Sequence, residues 1–235
     1  MRTVRLTGGK LLDQVYREIL VPSFHPDELQ SLTSLRAGVR SGGTLASAVV
    51  DDTGRALAGL VGEWSPSCRV MLLSYLAVTA AARGGGIGGP FYDEVIGAWR
   101  ETYRPCLIVA EVEHPDRHES SEAYGDPAAR LRFYGRHGAR VLNLPYFQPA
   151  LGPGRSRVYG MLLLALHVDP ALSGPGGPDT VAAAPLREFL VDYLEVEGGV
   201  ADDPPTRAML DAVEAGGGVA LLPADRYTAV PVAIG

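Results

Sequence analysis

Seven residues, Arg83-Gly84-Gly85-Gly86-Ile87-Gly88-Gly89, constrain the chain more than any other stretch. They join an apolar run, Val70–Val78, to a segment from Gly88 to Arg100 that reads as a helix. Glycines let the backbone enter conformations closed to other residues and approach a ligand closely. The helix that follows presents free N–H groups and the positive end of its dipole. The pattern predicts a cradle for a phosphate-bearing ligand. The plainer alternative is a tight loop with no ligand. No Lys-Ser/Thr pair follows the glycines, which excludes a P-loop.

The elements around this loop follow from hydrophobic spacing. Thr3–Leu6 alternates as a strand. Leu11–Leu20 carries one apolar helical face, and a second helix is expected from Pro26 to about Leu35. Thr44–Val50, Arg55–Trp64 and Arg69–Val78 read as an antiparallel meander with turns at Asp51–Gly54 and Ser65–Ser67. Beyond the glycines the pattern changes to helix Gly88–Arg100 and strand Cys106–Glu113, a βαβ unit with the preceding strand. A polar loop, His114–Asp126, leads to a helix, Pro127–His137, with Asp126 as its cap. Ala139–Pro145 and Arg157–Val168 are two further strands, and Tyr146–Ser156 reads as their connection. Ala171–Pro185 contains LSGPGGPDT and reads as a linker. Amphipathic helices at Leu186–Leu194 and Pro204–Ala215 and a strand at Val219–Leu222 follow.

Composition bounds the function classes. Of 235 residues, 29 are Gly and 18 Pro, clustered between elements as punctuation. The chain carries 21 Lys and Arg against 27 Asp and Glu, a formal net charge of −6, so neither nucleic acid nor an anionic membrane is an expected partner. The longest apolar runs fall short of the ~20 residues that span a bilayer. The start, MRTVRLTGGKLLDQ, has no apolar leader core, and Cys68 and Cys106 make no disulfide framework. A cytoplasmic setting is expected.

Two ligand classes compete for the glycine loop. Gly84-x-Gly86-x-x-Gly89 satisfies a dinucleotide fingerprint, and Glu111 follows Gly89 by 22 residues, where an adenosine ribose is held in such folds. Against this, Thr79–Arg83 separates the strand from the first glycine, and no second parallel half follows. The other reading fits more of the chain. Leu76-Ala77-Val78, four residues, then Arg83-Gly84-x-Gly86-Ile87-Gly88 resembles the acyl-CoA motif of the GNAT acyltransferase superfamily. Arg130–Leu142, RLRFYGRHGARVL, resembles a later segment of the same superfamily, and the order of elements from Met1 to Val168 agrees with it.

The resemblance implies an α/β (α+β) fold: a mixed, mostly antiparallel twisted sheet with one central βαβ unit, flanking helices and, here, a helical C-terminal extension. It implies an acetyltransferase domain over residues 1–170 and leaves the rest unexplained; residues 171–185 read as a linker, and 186–235, too few to bury a core alone, are expected as an extension docking on the domain or on a second subunit. It implies acetyl-CoA as acyl donor. The backbone of Leu76, Ala77 and Val78 would pair with the pantetheine arm. Arg83, Gly84, Gly86, Ile87, Gly88 and Gly89 would face the pyrophosphate, and Tyr134 would protonate the departing thiolate. The chain departs from the superfamily pattern at Asp126-Pro127, Gly135 and Ala139. A homodimer is a superfamily expectation only.

Acyl transfer to an amine needs a proton acceptor. Leu107, Val109, Glu111 and Glu113 share one face of their strand, so Glu111 and Glu113 are the expected pair, one as base and one holding the ammonium. The alternative is that Glu113 faces solvent at the strand end. Glu63 is the next candidate, and Tyr146 and Gln148 are expected to shape an acceptor pocket. Arg130, Arg132, Arg136 and Arg140 form a local basic cluster, either for the polyanionic donor or as a solvated helix face. His114 and His118 have a spacing that suggests a metal, but Pro115 opposes the helix that would align them, and no metal site is expected. The expected function is direct acetyl transfer to a primary amine of a small molecule. The alternatives are a non-catalytic acyl-CoA-binding or interaction module, acetylation of a protein or peptide amine, and a nicotinamide-dependent enzyme.

Overall fold

Short apolar segments separated by turn residues build the first half of the chain into a hairpin-rich sheet, and the computed structural model shows how it is assembled. The structure describes residues 1–121, 124–174 and 176–235. Glu122 and Ala123 of the expected polar loop, and Pro175 of the expected linker, lie outside the described residues. The chain forms two compact units, residues 1–64 with 71–105 and residues 65–70 with 106–235. Among the described residues no helix is long and apolar enough to cross a membrane.

In the first unit β1 (Arg2–Leu6), β2 (Thr44–Val50), β3 (Ala56–Ser65) and β4 (Val70–Val78) lie side by side in that order. β1 and β2 pair antiparallel from Arg2↔Val50 to Leu6↔Ala46, and β2 and β3 pair antiparallel from Thr44↔Glu63 to Val50↔Ala56. α1 (Gly9–Gln14) runs on into a π-helical turn at Val15–Leu20, where Val21 N–H reaches the Tyr16 carbonyl at 2.9 Å. The helix expected from Pro26 to Leu35 is instead a single 3₁₀ turn, Pro26–Glu28, followed by α2 (Leu32–Ser41). The reason is local. Ser31 is extended and its hydroxyl accepts the Ser34 N–H at 3.0 Å, starting a new helix there. Leu12, Val15, Ile19, Leu20, Leu35, Ala46, Ala48 and Val61 are among the side chains that close the core on that side. α3 (Gly88–Tyr103) covers the other face. The Trp99 indole lies where a side chain at Gly62 would stand, 2.2 Å from an ideal Cβ, so this strand position admits only glycine unless the helix moves.

In the second unit β5 (Leu107–Glu113) pairs antiparallel with β8 (Val158–Val168), from Leu107↔Val168 to Glu113↔Met161. The opposite edge of β8 is shared by β6 (Arg140–Leu142) and β7 (Tyr146–Gln148), which pair with it at Val141↔Leu164 and Tyr146↔Met161. The connection expected over Tyr146–Ser156 therefore begins with three residues of strand. α4 (Pro127–Arg136) starts as predicted, with Asp126 accepting the Ala128 N–H at 2.9 Å.

The segment expected to be a linker is structured differently from that expectation. β9 (Ser173–Gly174) and β10 (Gly177–Ala182) form within it, and α5 (Ala183–Val196) begins before its end. α6 (Pro204–Glu214) and β11 (Gly218–Pro223) follow. β10 finds its hydrogen-bond partner in β11, about forty residues on, and β11 adds to β6 at Leu221↔Leu142 and Leu222↔Val141. The C-terminal region thus extends the β5-β8-β6 sheet by three strands, with α5 and α6 packed on each other.

Candidate functional site

The glycine loop leaves β4 at Val78 and passes through a 3₁₀ turn, Ala80–Ala82, before α3 starts. Gly84 and Gly86 have φ of +79° and +71°, in the left-handed region, and a Cβ at either would meet nothing within 4 Å. These glycines serve the backbone path and not packing. Ile87 occupies the cap position with no side-chain hydrogen bond to the helix start, and Pro90 in the first turn has no N–H to offer. The Gly88 and Gly89 amides and the helix dipole therefore point from an uncapped end, a geometry suited to an anion. Of the strand residues expected to meet a ligand, Ala77 is buried in the core, while Leu76 and Val78 are half-buried. Arg83 is exposed, but its Nε donates to the Val78 carbonyl at 3.2 Å and its guanidinium to the Ser23 hydroxyl at 3.4 Å, folding the loop back on the strand it left. Glu63, in the same unit, accepts from Gln30 Nε2 at 3.0 Å, and Gln30 is itself held by Tyr75 and Tyr16 through its backbone.

The second unit holds the carboxylates of β5. β5 and β7 flank β8, so their backbones stand roughly 9.5 Å apart, two strand spacings. A tyrosine and a glutamate reaching toward each other can bridge that distance. Tyr146 reaches over β8, on the face shared with Met161, and its hydroxyl donates to Glu111 Oε1 at 2.5 Å. Gln148 Nε2 donates to Glu111 Oε2 at 2.9 Å, and from α5 the Tyr193 hydroxyl lies 3.4 Å from the same oxygen. The other amide atom of Gln148, Oε1, is buried and has no hydrogen-bond partner among the described residues. Burial drives the Tyr146 phenol well above its ordinary pKa, and the Glu111 charge and hydrogen bond push it further, so it remains a donor.

Glu113 shares the face of Glu111 but not its surroundings. Its Oε2 accepts from Arg130 at 2.8 Å, and its Oε1 lies 3.6 Å from His118 Nδ1. His118 also donates through Nε2 to the Tyr159 carbonyl at 2.9 Å. His114 is buried, its Nδ1 accepting the Asp116 N–H at 3.1 Å and its ring set against Tyr227. Burial lowers its pKa. The two histidines thus have separate structural partners. Among the described residues, Arg130 is ion-paired to Glu113, Arg132 to Asp126 and Arg140 to Asp179. Tyr134 sits on α4 on the buried stripe with Pro127 and Leu131, and burial pushes its phenol up to about 12 against the pull of Arg130.

The structure therefore brings together Glu111, Tyr146 and Gln148, each a candidate from sequence, and separates Glu113 from them by its ion pair. Sequence reasoning missed Tyr193, whose spacing with Phe189 marks only an apolar helix face, and Gln30, for which no local signal exists.

No family model matches the chain, and no curated protein matches it in sequence. Solved structures do. A protein from Bacteroides thetaiotaomicron assigned to the GNAT family as an acetyltransferase shares 23% identity over 84% of this chain and 99% of its own, with a TM-score of 0.56. A protein from Acinetobacter baylyi assigned as an acetyltransferase shares 16% over 72% of this chain and 94% of its own, at a TM-score of 0.49. An IAA acetyltransferase from Bacillus cereus shares 13% over 70% and 98%, at 0.45. At such identities the likeness is one of fold, and the first carries it. The combination of mostly antiparallel strands and several helices bears out the expected mixed α/β fold class, and the chain has the fold of the GNAT acetyltransferases.

Proposed function

We propose that this protein is an acetyl-CoA-dependent N-acetyltransferase acting directly on a primary amine of a small molecule. The observation that carries the proposal is the loop before α3: uncapped, shaped by left-handed Gly84 and Gly86, and open around both. The residues fit a pyrophosphate. Gly84, Gly86, Ile87, Gly88 and Gly89 would direct amides at it, and Leu76–Val78 would offer backbone to the pantetheine arm. Arg83 is engaged with Val78 and Ser23, so its part would be to fix the loop or, on release, to meet a phosphate. Bound acetyl-CoA supplies an acetyl thioester, an electrophilic carbonyl with a thiolate leaving group.

Glu111 takes the role of base. Three neutral donors orient its oxygens, while Glu113 is committed to Arg130 and His118. Glu111 accepts a proton from the substrate ammonium, directly or through one water, and passes it to solvent; the neutral amine forms the new C–N bond as the C–S bond breaks, and its nitrogen then loses a second proton to solvent to leave the neutral amide. Tyr134, kept protonated by burial, delivers a proton to the thiolate and is restored from solvent. Tyr146 and Gln148 hold Glu111 in place, and Glu63 is a further candidate contact for the acceptor.

A second reading, a binder of acyl-CoA without transfer, draws on one observation: Tyr134 is only 6% exposed. Thermal stability in the presence of acetyl-CoA, free CoA and NADH, followed by amine-dependent thiol release, tests both. A ligand that binds only the folded state raises Tm. Stabilisation by acetyl-CoA with thiol release is the expected result. Stabilisation without release favours the binder, preference for NADH favours a dinucleotide enzyme, and no response to CoA removes the proposal.

A further inference from the structure

The cavity at the C-terminal end of α5 has chemistry that neither the loop nor the Glu111 cluster uses. It measures about 460 Å³, within the range of small-molecule sites, and is lined by Pro149 and Ala150 after β7, by Arg157, and by Leu194, Glu197 and Gly199. Two of its walls are continuous with the Glu111 cluster. Gln148, which donates to Glu111, precedes Pro149, and Tyr193, which also reaches Glu111, lies one helical turn, ~5.4 Å, before Glu197. Cavity and carboxylate are thus bounded by the same strand end and the same helix.

The two charged residues of the cavity differ. Arg157 is neutralised: it pairs with Asp203 at 2.7 Å and lies 4.6 Å over the centre of the Phe147 ring, so it is a rigid wall. The Glu197 carboxyl has no hydrogen bond and no ion pair among the described residues, and burial pushes its pKa up. A carboxyl withdrawn from water without a partner is unfavourable unless a donor or cation enters to meet it. In the residue before Pro149, the buried Gln148 Oε1 is a second acceptor without a partner among the described residues. Both unmet groups ask for N–H donors.

We propose that this cavity is a second subsite for the acceptor and takes a cationic nitrogen at Glu197, so that the preferred substrate is a diamine: one nitrogen is acetylated beside Glu111 and the other is held one turn along α5. The proposal rests on the amine-acetyltransferase reading and gives it a substrate class. It also gives the C-terminal helix a part in acceptor selection.

The test pairs turnover with binding. A series of α,ω-diamines of increasing chain length is compared with the matching monoamines, for the natural protein and for Glu197→Gln. In parallel, diamine binding is measured by calorimetry without acetyl-CoA. We expect kcat/KM for the best diamine to exceed that for its monoamine by about tenfold or more, the size of one well-placed ion pair. In Glu197→Gln that ratio falls to near one through KM, and calorimetric diamine affinity drops by a similar factor. Glu197→Asp, which keeps the charge, retains part of the ratio. Acetylation of both amines at a ratio that Glu197 does not affect overturns the subsite and leaves the transferase standing. Glu197-dependent diamine binding without acetylation leaves the subsite standing and removes the transferase. Neither binding nor turnover removes the subsite as well.

Discussion

Tyr134 and His114 are both buried and both displaced from their ordinary proton affinities by burial, yet opposite consequences follow. A phenol raised to about 12 stays protonated across the working range, so its proton is present when the thiolate departs. Tyr134→Phe should therefore lower kcat by roughly 10²- to 10⁴-fold, the usual range for a general acid or base, while acetyl-CoA affinity is retained. Turnover and calorimetry on the one variant separate the two. Glu111→Gln should depress turnover and flatten the alkaline-rising limb of the pH–rate profile. Glu113→Gln, which breaks the pair with Arg130, should chiefly lower Tm. His114 bears on stability. Its folded pKa lies below the ordinary 6.5, so above 6.5 it is neutral whether folded or not and has no effect. As pH falls below 6.5 the unfolded chain binds the proton first, and stability declines until the lower folded value is reached. His114→Gln should flatten that part of a Tm-against-pH curve, and an unchanged slope would assign it to other groups. That Glu111 and Glu113 share a strand face follows from alternation alone, and the sequence marks both as candidates. What distinguishes them comes from α4, β7 and α5, distant in sequence, and no local pattern carries it.

At the scale of elements, the strand, glycine loop and helix before β5 were legible because each has a strong local cause: an uninterrupted apolar run, residues free of a Cβ, and a helical spacing. The break before α2 is equally local, a Ser31 cap within a longer helical pattern, and went unread because the apolar spacing runs through it. β10 was illegible for a different reason. Its Gly- and Pro-rich sequence favours turns, and only pairing with β11 makes it a strand. The loop gives a test at this scale. Alanine at both Gly84 and Gly86 places a Cβ on left-handed backbone, at ~1–2 kcal/mol each if the path is kept, although there is space for both methyls. A modest fall in Tm with loss of the acetyl-CoA-induced rise is expected. A retained rise would mean that the cradle tolerates another backbone path and that these glycines do not shape it. Gly62→Ala differs, since its methyl meets the Trp99 ring. That overpacking should cost ~1–3 kcal/mol of stability and lower Tm accordingly, without touching the ligand response.

For the whole molecule the question is whether the residues after Val168 are an appendix or part of the fold. β6 has three residues and lies between β8 and β11, so without the C-terminal region one of its edges would be bare. Val181, Leu186, Phe189, Leu190, Leu194, Val219 and Leu221 are all buried. The turn after β11 packs on α4, the helix of Tyr134, with Ala224 3.0 Å from where a Cβ at Gly135 would stand. Each large apolar side chain fully buried contributes ~1.5–3 kcal/mol, and a domain keeps a margin of ~5–15 kcal/mol. Uncovering four or five of them is enough to exhaust it. A chain cut after residue 170 should therefore be insoluble or melt without cooperativity, even though it retains every segment that resembles the superfamily motifs. A milder change separates folding from the supply of Tyr193. Tyr193→Phe keeps the ring stacked on Phe189 and removes only the hydroxyl near Glu111, so Tm should hold while the pH–rate profile shifts. If the shortened chain folds with an unchanged Tm and acetylates amines at the full rate, the C-terminal region is dispensable, and the placement of Tyr193 beside Glu111 has no bearing on the chemistry.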